Sequence, residues 1–116
     1  MGADPLVSAT TVISYETGKN LSGLLVRKEA KGHGTGQYVE GLGNFSEGDN
    51  VAMLEDVVTT GGSLLKACDR VRACGLGIVA VCCILDREEG GRAALAEAGY
   101  NLLALYTREE LKSFAS

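Results

Sequence analysis

With 116 residues, 46% of them apolar and 22% charged, the chain has the size and composition of one globular domain and is not of the disordered class. Its net charge of −4 excludes a broad basic footprint for nucleic acid, so any anionic ligand must be held by a local cluster of cations. No apolar run reaches the length of a membrane span and the first residues lack a signal-peptide pattern; the four cysteines, Cys68, Cys74, Cys82 and Cys83, show no metal-ligand spacing, so reduced core thiols in a cytoplasmic setting are expected.

Asp4-Pro5 places a capping residue before a proline suited to the first helical turn, and Leu6, Val7, Ala9, Val12 and Ile13 predict a first helix running until Gly18. Leu24-Leu25-Val26 is a short strand, Gln37 to Leu42 a returning one, and Arg27 to Gly36 the tip of the hairpin between them. Val51 to Leu54 is an apolar run of the kind found in strands buried on both faces. A helix over Ser63 to Cys74 sets Leu64, Leu65, Cys68 and Val71 on one face and Lys66, Asp69, Arg70 and Arg72 on the others, with Gly75 as its stop. Ile78 to Leu85 is a second buried strand, Gly91 to Ala98 a helix ending at Gly99, and Leu102 to Tyr106 a last strand. Thr107-Arg108-Glu109-Glu110 has the form of a capping box opening a terminal helix. This alternation predicts an α/β fold, a mostly parallel central sheet flanked by helices, in one domain over residues 1–116.

The stretch with most chemistry follows Val51–Leu54: Glu55, Asp56, Val57, Val58, Thr59, Thr60, Gly61, Gly62 and Ser63. Ligands of open α/β sheets dock outside the carboxyl ends of the strands. Unpaired N–H groups at a helix start carry positive partial charge, so glycines beside hydroxyls make a cradle for a phosphate ester. The adjacent carboxylates can accept hydrogen bonds from the vicinal hydroxyls of a ribose, or remain solvated surface charge. The stretch is not a P-loop, because G-x-x-x-x-G-K-[ST] is absent.

Arg27, Lys28, Lys31 and His33 concentrate charge on a glycine-rich tip of an otherwise acidic chain. Such a loop could close over a polyanion and neutralise a charged leaving group, or be only a basic hairpin tip. Arg87 after Asp86 reads equally as a structural ion pair and as a fork for a planar carboxylate or imide edge.

These segments resemble a known family. VAMLEDVVTTGGS resembles the phosphoribosyl-diphosphate binding motif of type I phosphoribosyltransferases. LLVRKEAKGHGTGQYVEG is similar to the catalytic loop of the orotate phosphoribosyltransferase branch, ILDREEGGR to the segment carrying its orotate-contacting arginine, and GADPLVSA to its pyrophosphate-loop region. The resemblance implies transfer of ribose 5-phosphate from phosphoribosyl diphosphate to orotate, giving orotidine 5-phosphate and pyrophosphate in pyrimidine biosynthesis. It implies that Glu55 and Asp56 hold the ribose hydroxyls and that Thr59 to Ser63 cradle the 5-phosphate, with Val57 and Val58 in the same binding stretch. Lys28, Lys31 and His33 are then the catalytic loop residues on the pyrophosphate, with Arg27 reaching it from the neighbouring subunit of a homodimer with shared sites. Arg87, with Thr59 beside the base, would bind orotate, and magnesium would be held through ligand oxygens with no direct protein ligand. Members of the family also carry an N-terminal region, with hood elements, a further substrate-contacting lysine and the first sheet strand, ahead of the pyrophosphate loop. The present chain starts inside that loop, which implies an uncovered sheet edge and raises a rival expectation, a non-catalytic relative that binds phosphoribosyl diphosphate or a nucleotide.

Overall fold

The computed structural model describes residues 23–27 and 38–115. The expected first helix and the hairpin tip with Lys28, Lys31 and His33 lie outside the described residues. Two strands, β1 (Leu25–Val26) and β2 (Val39–Glu40), pair antiparallel as a short ribbon. Three more, β3 (Asn50–Val58), β4 (Gly77–Asp86) and β5 (Leu102–Thr107), form a parallel sheet in the order β3-β4-β5. Helix α1 (Gly62–Ala73) links β3 to β4, α2 (Gly91–Glu97) links β4 to β5, and α3 (Arg108–Ala115) follows β5.

The connections follow local chemistry. Helix α1 ends where Gly75 takes a left-handed φ of 86°, and its N–H closes on Arg72 O at 2.9 Å, the arrangement a helix stop requires. At the start of α3 the capping box forms in both directions: Glu110 N donates to Thr107 Oγ1 at 3.2 Å, and Thr107 N donates to Glu110 Oε1 at 3.2 Å.

The core lies on one face of the three-stranded sheet, where Leu64, Cys68 and Val71 of α1 and Leu95 of α2 pack against Met53, Val81, Cys83 and Leu102. Burial of this set supplies most of the drive to fold, at about 25 cal/mol for each Å² of apolar surface. The opposite face is not covered by α1 or α2, and Leu103 and Leu105 remain 55% and 69% exposed. Val79 is exposed too, at 68%, because β4 holds one more residue than β3 there: Val51 pairs with Ile78 and Ala52 with Ala80. The expected parallel sheet flanked by helices is thus formed, and among the described residues both crossover helices serve the same side.

Two strands differ in extent from the sequence expectation. β3 does not end at Leu54; it runs through the carboxylates to Val58, because Val57 and Val58 find partners in Leu85 and Asp86 of β4. Among the described residues the returning strand of the hairpin is Val39–Glu40, and it stops there because Gly41 turns left-handed at φ 94° and Leu42–Asn44 coil into a 3-10 turn. Among the described strands, the β1–β2 ribbon is not hydrogen-bonded to the main sheet and β3 has no partner on its outer side.

Candidate functional site

Three stretches expected to carry function are described: the β3-to-α1 turn, the turn after β4 and the base of the hairpin. The first has an uncapped helix start of the kind an anion cradle requires. Gly61 caps α1 with φ 90° and offers no side-chain acceptor to the first-turn N–H groups, which therefore keep their donors for a ligand. The absence of an acidic residue from the first turn leaves the positive end of the helix dipole uncompensated. Thr60, Gly62 and Ser63 are exposed at this end, and Thr59 is half-buried.

The two carboxylates stand inside β3, with Glu55 opposite Cys83 of β4. Each accepts a backbone bond from the following residue: Asp56 N to Glu55 Oε1 at 3.0 Å, and Val57 N to Asp56 Oδ1 at 2.8 Å. Burial, then the hydrogen bond it shares with Asp56, raises the Glu55 carboxyl above its ordinary value. The bond from Glu55, and that from Val57 N–H, lowers Asp56. The two adjacent carboxyls are thus shifted in opposite directions, Glu55 up and Asp56 down.

The turn after β4 is sewn onto the cradle. Arg87 N donates to Val58 O at 2.9 Å and Gly91 N donates to Thr59 O at 3.0 Å, so Arg87 and Thr59, both expected at the base, are held by neighbouring bonds. The turn itself is shaped by Asp86, only 2% exposed, whose Oδ1 accepts from Glu88 N at 2.9 Å while Glu88 takes a φ of 58°. Asp86 Oδ2 lies 3.4 Å from Arg92 Nε, and Arg92 Nη1 donates to Leu102 O at 2.6 Å. A buried carboxylate needs this pairing. The weighed ion pair between Asp86 and Arg87 is not formed; Arg87 instead meets Glu89 Oε2 at 3.0 Å and leaves its side chain half exposed.

At the hairpin base, Arg27 pairs with Glu40 across the ribbon, and its buried Nε has no hydrogen-bond partner among the described residues. Arg27 N donates to Tyr38 O at 2.6 Å. Arg70 of α1 donates from Nη1 to Arg27 O at 2.5 Å and lies 3.9 Å over the Tyr38 ring. Sequence reasoning missed Arg70, Arg92 and the close packing of Gly91. Arg70 reads in sequence as a charge on a helix's outer faces, Arg92 carries no assigned role there, and a glycine opening a helix gives no sign of what it touches. Among the described residues no group of three or more metal-ligating side chains comes together.

No family model matches the chain. It is 45% identical over 97% of its length to an orotate phosphoribosyltransferase of Nostoc sp., of which it covers 54%. A phosphoribosyltransferase from Corynebacterium diphtheriae superposes over 97% of the chain with a TM-score of 0.79 at 31% identity, 62% of that protein being covered. An orotate phosphoribosyltransferase from Mycobacterium tuberculosis, solved with 5-phospho-alpha-D-ribosyl 1-diphosphate, superposes over 96% with a TM-score of 0.70 at 28% identity, 60% of it being covered. The chain thus spans little more than half the length of the curated relatives it matches. Over the stretch that it spans, the chain is a partial homologue of the curated orotate phosphoribosyltransferases.

Proposed function

We propose that the chain carries the phosphoribosyl-diphosphate and orotate sites of an orotate phosphoribosyltransferase. The observation that carries this reading is the union of cradle and β4 turn, Val58 O and Thr59 O each accepting a bond from the Arg87–Gly91 segment. In this reading the 5-phosphate sits on the first-turn N–H groups of α1 between Thr59 and Ser63. Asp56 accepts from the ribose diol, with Glu55 oriented beside it, and Val57 and Val58 carry the strand into the cradle. Arg87, released from Glu89, takes the planar carboxylate or imide edge of orotate with its fork, with Thr59 alongside.

The reaction joins a ring nitrogen of orotate to the anomeric carbon as the bond from that carbon to the diphosphate oxygen breaks; the electron pair of that bond leaves with the diphosphate, which also takes up the proton the ring nitrogen gives up. Charge develops on the ribosyl carbon and on the leaving group, so the protein's work is orientation and electrostatic stabilisation. Lys28, Lys31 and His33 would neutralise the diphosphate, and in a homodimer the Arg27 of one protomer would exchange Glu40 for the diphosphate at the partner's site. Magnesium would be held through oxygens of the bound ligand with no direct protein ligand, as suits an ion that dehydrates reluctantly and binds substrate phosphates, and Glu55 and Asp56 are left to the ribose. When bound it would neutralise charge on the diphosphate. A cytoplasmic setting agrees with the cysteines, all of them free thiols, and among the described residues no helix is long and apolar enough to cross a membrane.

The test is the loss of orotate absorbance on mixing the chain with phosphoribosyl diphosphate and magnesium. The reading expects turnover unaffected by adenine and, in Lys31→Ala, reduced ~100-fold or more. Binding of phosphoribosyl diphosphate without orotate consumption would select the non-catalytic relative instead.

A further inference from the structure

We propose that Arg70 is a positioning residue that ties both arms of the β1–β2 ribbon to α1 and thereby fixes how Arg27 is presented to a bound diphosphate. The ribbon needs such an anchor. Among the described residues its ladder is two residue pairs long, Leu25 with Glu40 and Val26 with Val39, and it shares no hydrogen bonds with the three-stranded sheet. A two-stranded hairpin of this size is marginal by itself. Its hold on the body of the protein comes from Leu24 and Val26 packed against the core and from the Arg70 guanidinium.

That guanidinium meets one residue of each arm. Nη1 donates to Arg27 O at 2.5 Å, on the arm leaving β1, and the planar group lies 3.9 Å over the ring of Tyr38, on the arm entering β2. The two arms are themselves joined at this level, Arg27 N to Tyr38 O at 2.6 Å. A charged donor to a carbonyl is stronger than a neutral one, and a planar cation can stack and donate at once, which an ammonium does less well. Arg70 stands eight residues into the helix whose first turn is the cradle, about 12 Å along its axis. One rigid helix therefore carries the cradle at its start and the clamp on Arg27 toward its end. The consequence for ligand rests on the proposed function, because Arg27 must act on the diphosphate and not on the 5-phosphate.

Calorimetry with two ligands separates these possibilities, using Arg70→Met, which keeps the aliphatic contact, and Arg70→Lys. Phosphoribosyl diphosphate reports cradle and basic residues together; ribose 5-phosphate reports the cradle and carboxylates alone. For Arg70→Met, loss of one charge-assisted bond corresponds to roughly tenfold weaker phosphoribosyl-diphosphate binding, with ribose 5-phosphate affinity unchanged and Arg70→Lys intermediate. Amide hydrogen exchange at Arg27 should accelerate in Arg70→Met while exchange in α1 stays as in the wild type. Equal weakening of both ligands, no weakening of either, or unchanged exchange at Arg27 would overturn the proposal. If the wild-type chain binds neither ligand the functional reading fails, and the exchange measurement still decides whether Arg70 holds the ribbon.

Discussion

Replacing Gly91 with alanine should force apart the two turns that meet beneath the cradle. An added Cβ would lie 2.5 Å from Val58 Cγ1, 2.8 Å from Thr59 O and 3.3 Å from Gly61 N. Two of these neighbours are backbone atoms of the cradle, so a change of side-chain rotamer cannot relieve the contact. Overpacking of this kind costs about 1–3 kcal/mol. The Gly91 N to Thr59 O bond, 3.0 Å in length, is the link most exposed to that shift, and its loss adds about 1 kcal/mol. Together these predict a destabilisation of about 2–4 kcal/mol, which urea unfolding would read as a lower midpoint at unchanged slope. Gly43→Ala is the control, since nothing stands within 4 Å of its added Cβ. Because the cradle moves with Gly91, ribose 5-phosphate binding should weaken in the same variant, by up to ~100-fold for a displacement near 1 Å. A Gly91→Ala protein with wild-type stability and wild-type affinity would refute the coupling of the two turns.

Leu95→Ala, removing a side chain with no exposure at the centre of the core, should cost about 2–5 kcal/mol by urea unfolding and leave a folded cradle at low denaturant. Glu55 is raised, so its protonated form favours the fold; its contribution is complete below the ordinary value of 4.5 and is lost as pH rises through the folded value. Asp56 is lowered, so its contribution is present above 3.8 and is lost as pH falls through the folded value. Thermal melts of Glu55→Gln should therefore lack the decline that the wild type shows above pH 4.5, while keeping the loss at lower pH due to Asp56. The Cys68 thiol, pushed up to about 11 by burial, should resist alkylation in the native protein at pH 8 and react on unfolding, as mass spectrometry would show.

The parts of the fold legible in the sequence are those whose causes are local. Gly75 and Gly99 mark helix ends, apolar runs mark β4 and β5, and Thr107 with Glu110 forms the capping box that their spacing announces. The end of β3 was not legible, because whether Val57 and Val58 extend a strand depends on Leu85 and Asp86 being beside them. The same limit hid the partners of the charged residues. Asp86 pairs with Arg92 from the following helix rather than with adjacent Arg87, and Arg70 finds Tyr38 from a distant part of the chain. For the site, residue types and order singled out the β3-to-α1 turn, the carboxylates and Arg87 as candidates. Their joining through Val58 O and Thr59 O is a fact of tertiary structure.

The claim on which the account turns is that the β3-to-α1 turn, with Asp56 beside it, binds a ribosyl phosphate. Calorimetric titration of the chain with phosphoribosyl diphosphate and magnesium tests it most directly, with Asp56→Asn run in parallel. The account predicts one saturable site, weakened about tenfold in Asp56→Asn by loss of a charged acceptor to the ribose hydroxyls. Saturable binding that is indifferent to Asp56→Asn, or no binding at millimolar ligand, would contradict it.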